Sequence, residues 1–148
     1  MLNVGDSLPK FDSLNQDGIS VSSKDFQGKK LVIFFYPKAN TPGCTAEACD
    51  INNNISELNK AGFEILGISA DSVEKQKKFH EKFSFKYDLL ADENHDILEK
   101  FNVWQLKKFM GKEYMGIVRS TFIFDEKGIC TRVIEKVKTK EAAAQILE

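Results

Sequence analysis

The chain has few of the residues that mark a special environment. Three cysteines in 148 residues are too few for the disulfide framework of a small secreted protein, and an odd number cannot all pair within one chain. Reduced thiols in a cytoplasmic compartment are the simplest reading. Two histidines, His80 in a lysine-rich segment and His95 near a helix start, read as solvated side chains, and no convincing second pair of metal ligands accompanies them. The longest apolar run, Leu31–Tyr36, is far short of the roughly 20 residues that a membrane-spanning helix needs. Met1–Pro9 has neither a basic nor an apolar region, so no signal peptide is expected. Charge of one sign is also lacking. Twenty-one Lys and Arg against 22 Asp and Glu leave a net −1, with no global field to attract nucleic acid or an anionic membrane. Repeats, low-complexity segments and linkers are absent, and the length fits a single domain over residues 1–148.

What is present is an ordinary globular composition, 42% hydrophobic and 29% charged, which excludes intrinsic disorder. Twelve phenylalanines are expected to supply much of the core. After an N-terminal arm with Leu8, Phe11 and Leu14 as apolar contacts, Ile19–Val21 reads as a short strand. Leu31–Tyr36 is apolar on both faces, the pattern of a central strand covered by helices, and Pro37 ends it because proline cannot donate to a ladder. A helix is predicted from Thr41 or Pro42, with Thr41 as cap and Pro42 in the first turn. Cys44, Ala48, Ile51, Ile55 and Leu58 form its buried stripe and Gly62 its stop.

Phe63–Ser69 is a second buried strand, and Asp71 with Glu74 makes a capping box for a helix through about Phe83. Leu89–Ala91 is a strand and Asn94–Phe101 a short helix. Val103–Val118 looks irregular, with Trp104 pinning the loop. Thr121–Phe124 and Ile129–Ile134 flank a turn as a hairpin, and Glu141–Leu147 closes the chain as a helix. Right-handed crossovers make the first three strands parallel neighbours. The sum is an α/β fold, a thioredoxin-like three-layer sandwich whose mixed central sheet has helices on both faces and an N-terminal extension.

Tyr36–Cys44 carries the most chemistry. It joins the end of a buried strand to the start of a helix, the place where open α/β sheets bind ligands. Cys44 falls in the first helical turn, where free amides and the helix dipole favour a thiolate over a thiol. Cys49 lies five residues on. In an intact helix the two Cα atoms would be ~8.6 Å apart, beyond normal disulfide reach. Either the two never pair, or the first turns unwind to let them. The spacing suits neither a zinc site nor a Cys-x-x-Cys exchanger.

Pro37, Thr41 and Cys44 fit the pattern Pro-x-x-x-Thr-x-x-Cys of the peroxiredoxins, and Cys44–Cys49 resembles their bacterioferritin comigratory protein, or peroxiredoxin Q, subfamily. Val103-Trp104, Phe109-Met110-Gly111-Lys112, Gly116 and Arg119-Ser120-Thr121-Phe122 follow in order, so the resemblance spans nearly the whole chain. Ala39 departs from it, standing where an acidic residue is more usual.

The resemblance implies a peroxidase in which Cys44 attacks the peroxide and becomes a sulfenic acid, with Arg119 beside it to stabilise charge. Thr41 would hydrogen-bond the thiolate or peroxide, and Pro37 would shield the sulfur. Glu47, one turn from Cys44, would orient Arg119 or else be a solvated carboxylate. Cys49 would resolve the sulfenic acid as an intramolecular disulfide, reduced in turn by thioredoxin or a similar dithiol. Hydrogen peroxide and organic hydroperoxides are the implied substrates, with no metal, haem or flavin, and a monomer is the expected assembly. Cys130, in the last hairpin strand, matches no motif and reads as a packed or edge thiol. The alternatives are a non-catalytic redox sensor or holding protein switched by the same pair, and a general disulfide reductase.

Overall fold

The computed structural model describes residues 1–148. Its seven-stranded sheet has the order β2 (Ser20–Ser22), β1 (Asp12–Asn15), β5 (Asp88–Ala91), β4 (Phe63–Ser69), β3 (Lys30–Phe35), β8 (Ser120–Phe124), β9 (Cys130–Ile134). The three strands at its centre are β3, β4 and β5, and they are parallel as expected. β8 lies antiparallel to β3 and pairs with β9 through the expected hairpin. The N-terminal arm contributes more than apolar contacts. β1 pairs with β2 and with β5, which extends the sheet on that side.

The alternation along β3 divides the protein into two cores. Val32, Phe34 and Tyr36 face α1 (Pro42–Asn53), α2 (Ile55–Lys60), α3 (Val73–Phe83) and α5 (Ala142–Leu147). Leu31, Ile33 and Phe35 face α4 (Asp96–Lys100), Phe101 and Phe11 of the arm. Eight of the twelve phenylalanines are buried, so the aromatic content does build the core. This is the thioredoxin-like sandwich read from the sequence. No helix is long and apolar enough to cross a membrane.

Several local expectations are corrected. The helix predicted to run unbroken to Gly62 breaks at Asn54, whose side-chain amide donates to the Asp50 carbonyl at 2.8 Å and competes with the backbone there. Ser72, not Asp71, caps α3, accepting from the Lys75 amide at 3.2 Å. Leu14 points to solvent, 45% exposed. The stretch read as irregular is an antiparallel hairpin, β6 (Trp104–Phe109) and β7 (Lys112–Ile117), which forms its own two-stranded sheet. Met110 and Gly111 make its turn with φ of 51° and 80°, the mirror-type turn that suits a tight hairpin. Most of this hairpin buries neither face, so its sequence carries no apolar alternation to read.

Candidate active site

β3 delivers Tyr36 to the C-terminal end of a central strand, and a five-residue turn, Pro37–Thr41, leads into α1. Thr41 sits at the N-cap position but makes no side-chain cap bond. Its hydroxyl donates instead to the Lys38 carbonyl at 2.8 Å and closes the turn internally. The first helical hydrogen bond runs from the Thr45 amide to the Thr41 carbonyl, so the Gly43 and Cys44 amides have no intrahelical partner. Cys44 is 1% exposed beneath this turn.

Arg119 reaches Cys44 from 75 residues away through strand register. Ser120 opens β8 opposite Phe35, so the residue before it lies beside the end of β3. The Arg119 guanidinium donates through Nη2 to Cys44 Sγ at 3.3 Å and through Nη1 to Glu47 Oε1 at 2.7 Å. Gly43 leaves room for it, since a Cβ there would lie 3.2 Å from Nη2. Burial opposes the Arg119 charge, but the Glu47 hydrogen bond and the attraction of Cys44 outweigh it and raise its pKa.

Glu47 is fully buried, which removes the alternative of a solvated carboxylate, and its Oε2 has no hydrogen-bond partner. Burial pushes its carboxyl up from an ordinary 4.5 to about 7, against the hydrogen bond and charge of Arg119. The native protein therefore holds this proton more tightly than the unfolded chain does. The stability it contributes is full below about pH 4.5 and is lost as pH rises through about 7. Glu47→Gln keeps an acceptor for Arg119 but cannot titrate. Urea unfolding from pH 4.5 to 8 should show a decline in the wild type that is largely flattened in the variant. Parallel curves would mean that Glu47 is not the group responsible.

Cys49 lies on α1 with Cys44, and both thiols are free. It packs partly buried against the helix-side core, and burial pushes its thiol up. Cys130 belongs to the other core, across the sheet from both, and its thiol is likewise pushed up by burial. Pro37 is exposed at the mouth of a groove of about 390 Å³ that Lys38, Asp71, Trp104, Lys107 and Tyr114 also line. Lys107 also feels this site: burial and then the Arg119 charge lower its pKa, while Cys44 opposes them. Neither histidine is simply solvated. His80 Nε2 lies 3.0 Å from the Tyr87 carbonyl, and His95 stacks on Trp104 with ring centroids 4.0 Å apart.

The sequence does not single out Gln76 or Ser69 and offers Asp71 only as a helix cap, yet all three are buried behind the Pro37–Thr41 turn. The available signal was Gln76 itself, a polar residue on the inward side of α3 at helical spacing from Val73 and Phe79.

Residues 4–133 match the model of the AhpC/TSA family. The chain is 48% identical over 138 residues to peroxiredoxin Bcp of Escherichia coli K12, covering 93% of this chain and 88% of that protein. A bacterioferritin comigratory protein of Xanthomonas campestris, studied for alkyl peroxide reduction, superposes with a TM-score of 0.88 at 34% identity, covering 96% and 95% of the two chains. A mutant PrxQ of Xylella fastidiosa gives a TM-score of 0.93 at 27% identity, covering 99% and 94%.

Proposed function

The chain belongs to the AhpC/TSA family, in its peroxiredoxin Bcp or Q branch, and from that premise we propose a two-cysteine thiol peroxidase with Cys44 as the attacking sulfur. The observation that carries this reading is the 3.3 Å contact between the Arg119 guanidinium and Cys44 Sγ, at a helix N-terminus whose first amides are free.

The Cys44 thiolate attacks one peroxide oxygen and the O–O bond breaks. The sulfur takes up that oxygen as sulfenic acid, and the other leaves as hydroxide or alkoxide and is protonated to water or alcohol. Arg119 faces both the sulfur and the charge moving onto the leaving oxygen, and the Gly43 and Cys44 amides are further donors for it. In this reading Thr41 would turn its hydroxyl from the Lys38 carbonyl to the peroxide and Pro37 would shield the sulfur, while Glu47, whose Oε1 accepts from Arg119 Nη1, fixes the guanidinium plane as a positioning residue.

Cys49 then attacks the sulfenic acid, forming an intramolecular disulfide and releasing water. Because both cysteines lie on α1, its first turns must unwind for this bond to form. A dithiol, thioredoxin or a similar protein, reduces the disulfide and is itself oxidised. The substrates are hydrogen peroxide and organic hydroperoxides. The protein acts as a single domain in the cytoplasm, as a monomer, and thiol chemistry alone serves the cycle without metal, haem or flavin.

The test is steady-state peroxide consumption with thioredoxin, glutaredoxin or dithiothreitol as reductant. Turnover with thioredoxin is expected. Oxidation that stops after one equivalent with every reductant would point to a redox sensor, and reduction of insulin without peroxide to a disulfide reductase. Cys49→Ser should react once with peroxide and stall as sulfenic acid, losing thioredoxin-supported turnover. In the wild type, one equivalent of peroxide should remove two hydrogens by mass, yield a Cys44–Cys49 linked peptide and raise amide exchange across residues 40–55. A bridge to Cys130, or unchanged exchange, would refute this account of resolution.

A further inference from the structure

Behind the Pro37–Thr41 turn lies a chain of buried polar groups that the thiol chemistry does not use. The Tyr36 hydroxyl donates to Gln76 Oε1 at 2.5 Å. Gln76 Nε2 donates to the Leu90 carbonyl of β5 and to Ser69 Oγ, both at 2.8 Å. Ser69 Oγ donates to Asp71 Oδ2 at 2.6 Å, and the same carboxylate oxygen accepts the Ala39 amide at 2.8 Å. The chain thus runs from β5 through α3 and β4 into the middle of the turn that precedes Cys44.

The turn has little else to hold it there. The Thr41 hydroxyl bond to Lys38 is internal, and Asn40, at φ 63°, takes only an exposed Lys82 ammonium on its side chain. Tyr36 is fixed before the turn begins, by its hydroxyl and by its amide bond to the Ile68 carbonyl at 3.1 Å. Within the turn, the Ala39 amide on Asp71 is the one hydrogen bond into the core. Asp71 is 8% exposed, and removing it would leave the Ala39 amide without its protein acceptor.

We propose that Asp71 is a positioning residue whose grip on the Ala39 amide holds the Pro37–Thr41 turn, and through it the first turn of α1, in the geometry that reacts with peroxide. The inference rests on the thiol peroxidase reading and deepens it. The two chemical steps make opposite demands on this segment. Attack needs Cys44, its neighbouring amides and Thr41 fixed relative to Arg119, whereas resolution needs the same turns to come apart. A bond that favours the intact turn speeds the first step and restrains the second.

Asp71→Ala removes the acceptor. Asp71→Asn can still present one carbonyl oxygen to both donors, in weaker neutral bonds, so the pair separates hydrogen bonding from side-chain bulk. Rapid-quench mass spectrometry with hydrogen peroxide would follow sulfenic acid and disulfide separately. Asp71→Ala should lower the rate constant for Cys44 oxidation by at least about tenfold while the resolution constant holds or rises. Asp71→Asn should recover most of the loss. Without peroxide, amide exchange at Ala39 should accelerate in Asp71→Ala while β3 and β4 stay protected.

A merely structural role would lower both constants together or slacken protection throughout. Either result overturns the proposal, as do unchanged constants or an asparagine variant as impaired as the alanine one. Should Asp71→Ala not fold, Ser69→Ala cuts the chain one link back and carries the same expectation in smaller size. If wild-type Cys44 is inert to peroxide, the peroxidase reading fails and the rate proposal falls with it. Normal wild-type oxidation with no step-selective change in the variants overturns the Asp71 role alone.

Discussion

Cys44→Ser should show no peroxide consumption above the uncatalysed rate with any reductant, while Cys130→Ser should retain near wild-type activity. A serine hydroxyl at position 44 would have the same helix N-terminus and the same guanidinium beside it. It would still fail, because an alcohol is too basic to ionise there and oxygen cannot accept the transferred oxygen as sulfur does. Cys130 provides the control because the sheet stands between it and the site. Its replacement puts a hydroxyl into a core position 1% exposed, at a stability cost of about 1–3 kcal/mol. That cost appears in the urea midpoint and not in the rate constant. Comparable turnover in Cys44→Ser, or its loss in Cys130→Ser at full folding, would reassign the nucleophile.

Arg119→Ala should lower the second-order rate constant with hydrogen peroxide by about 10²–10³-fold, the usual consequence of removing one donor aimed at developing charge. Alkylation of Cys44 by iodoacetamide should slow as well, because the same guanidinium donates to the sulfur that attacks. The variant has a second, separable defect. Glu47 loses the only cation that faces it while its other oxygen already lacks a partner. Removing one member of a buried pair costs about 3–5 kcal/mol when the remaining charge cannot escape. Here it can escape by taking up a proton, since burial already brings the Glu47 pKa to about 7.

The destabilisation of Arg119→Ala should therefore be larger at pH 8 than at pH 5. Adding Glu47→Gln to it should restore much of the stability at pH 8 and none of the rate. Arg119→Lys keeps a positive charge but not the planar fork that spans Sγ and Oε1, so it should fall between wild type and alanine. If oxidation and alkylation rates in Arg119→Ala match the wild type, the guanidinium has no part in the chemistry.

The sequence by itself determined the strand-turn-helix that carries Cys44, the buried stripe from Cys44 to Leu58, the three parallel strands, the last hairpin and the motif that places the chain among the peroxiredoxins. These features follow from local rules: proline and glycine restrict the backbone where they stand, and apolar periodicity reports which face a segment buries. Tertiary structure decided the rest. The spacing from Cys44 put Glu47 one turn away, but only the approach of Arg119 along the β3–β8 register made it a buried, paired carboxylate and not a wet one. Asp71 reads locally as a helix cap, yet Ser72 caps α3, and Asp71 accepts the Ala39 amide from 32 residues away. The Trp104–Ile117 hairpin escaped notice because most of its residues stay exposed. Periodicity records burial, but desolvation and pairing across 32 or 75 residues are fixed only when strand register brings distant segments together.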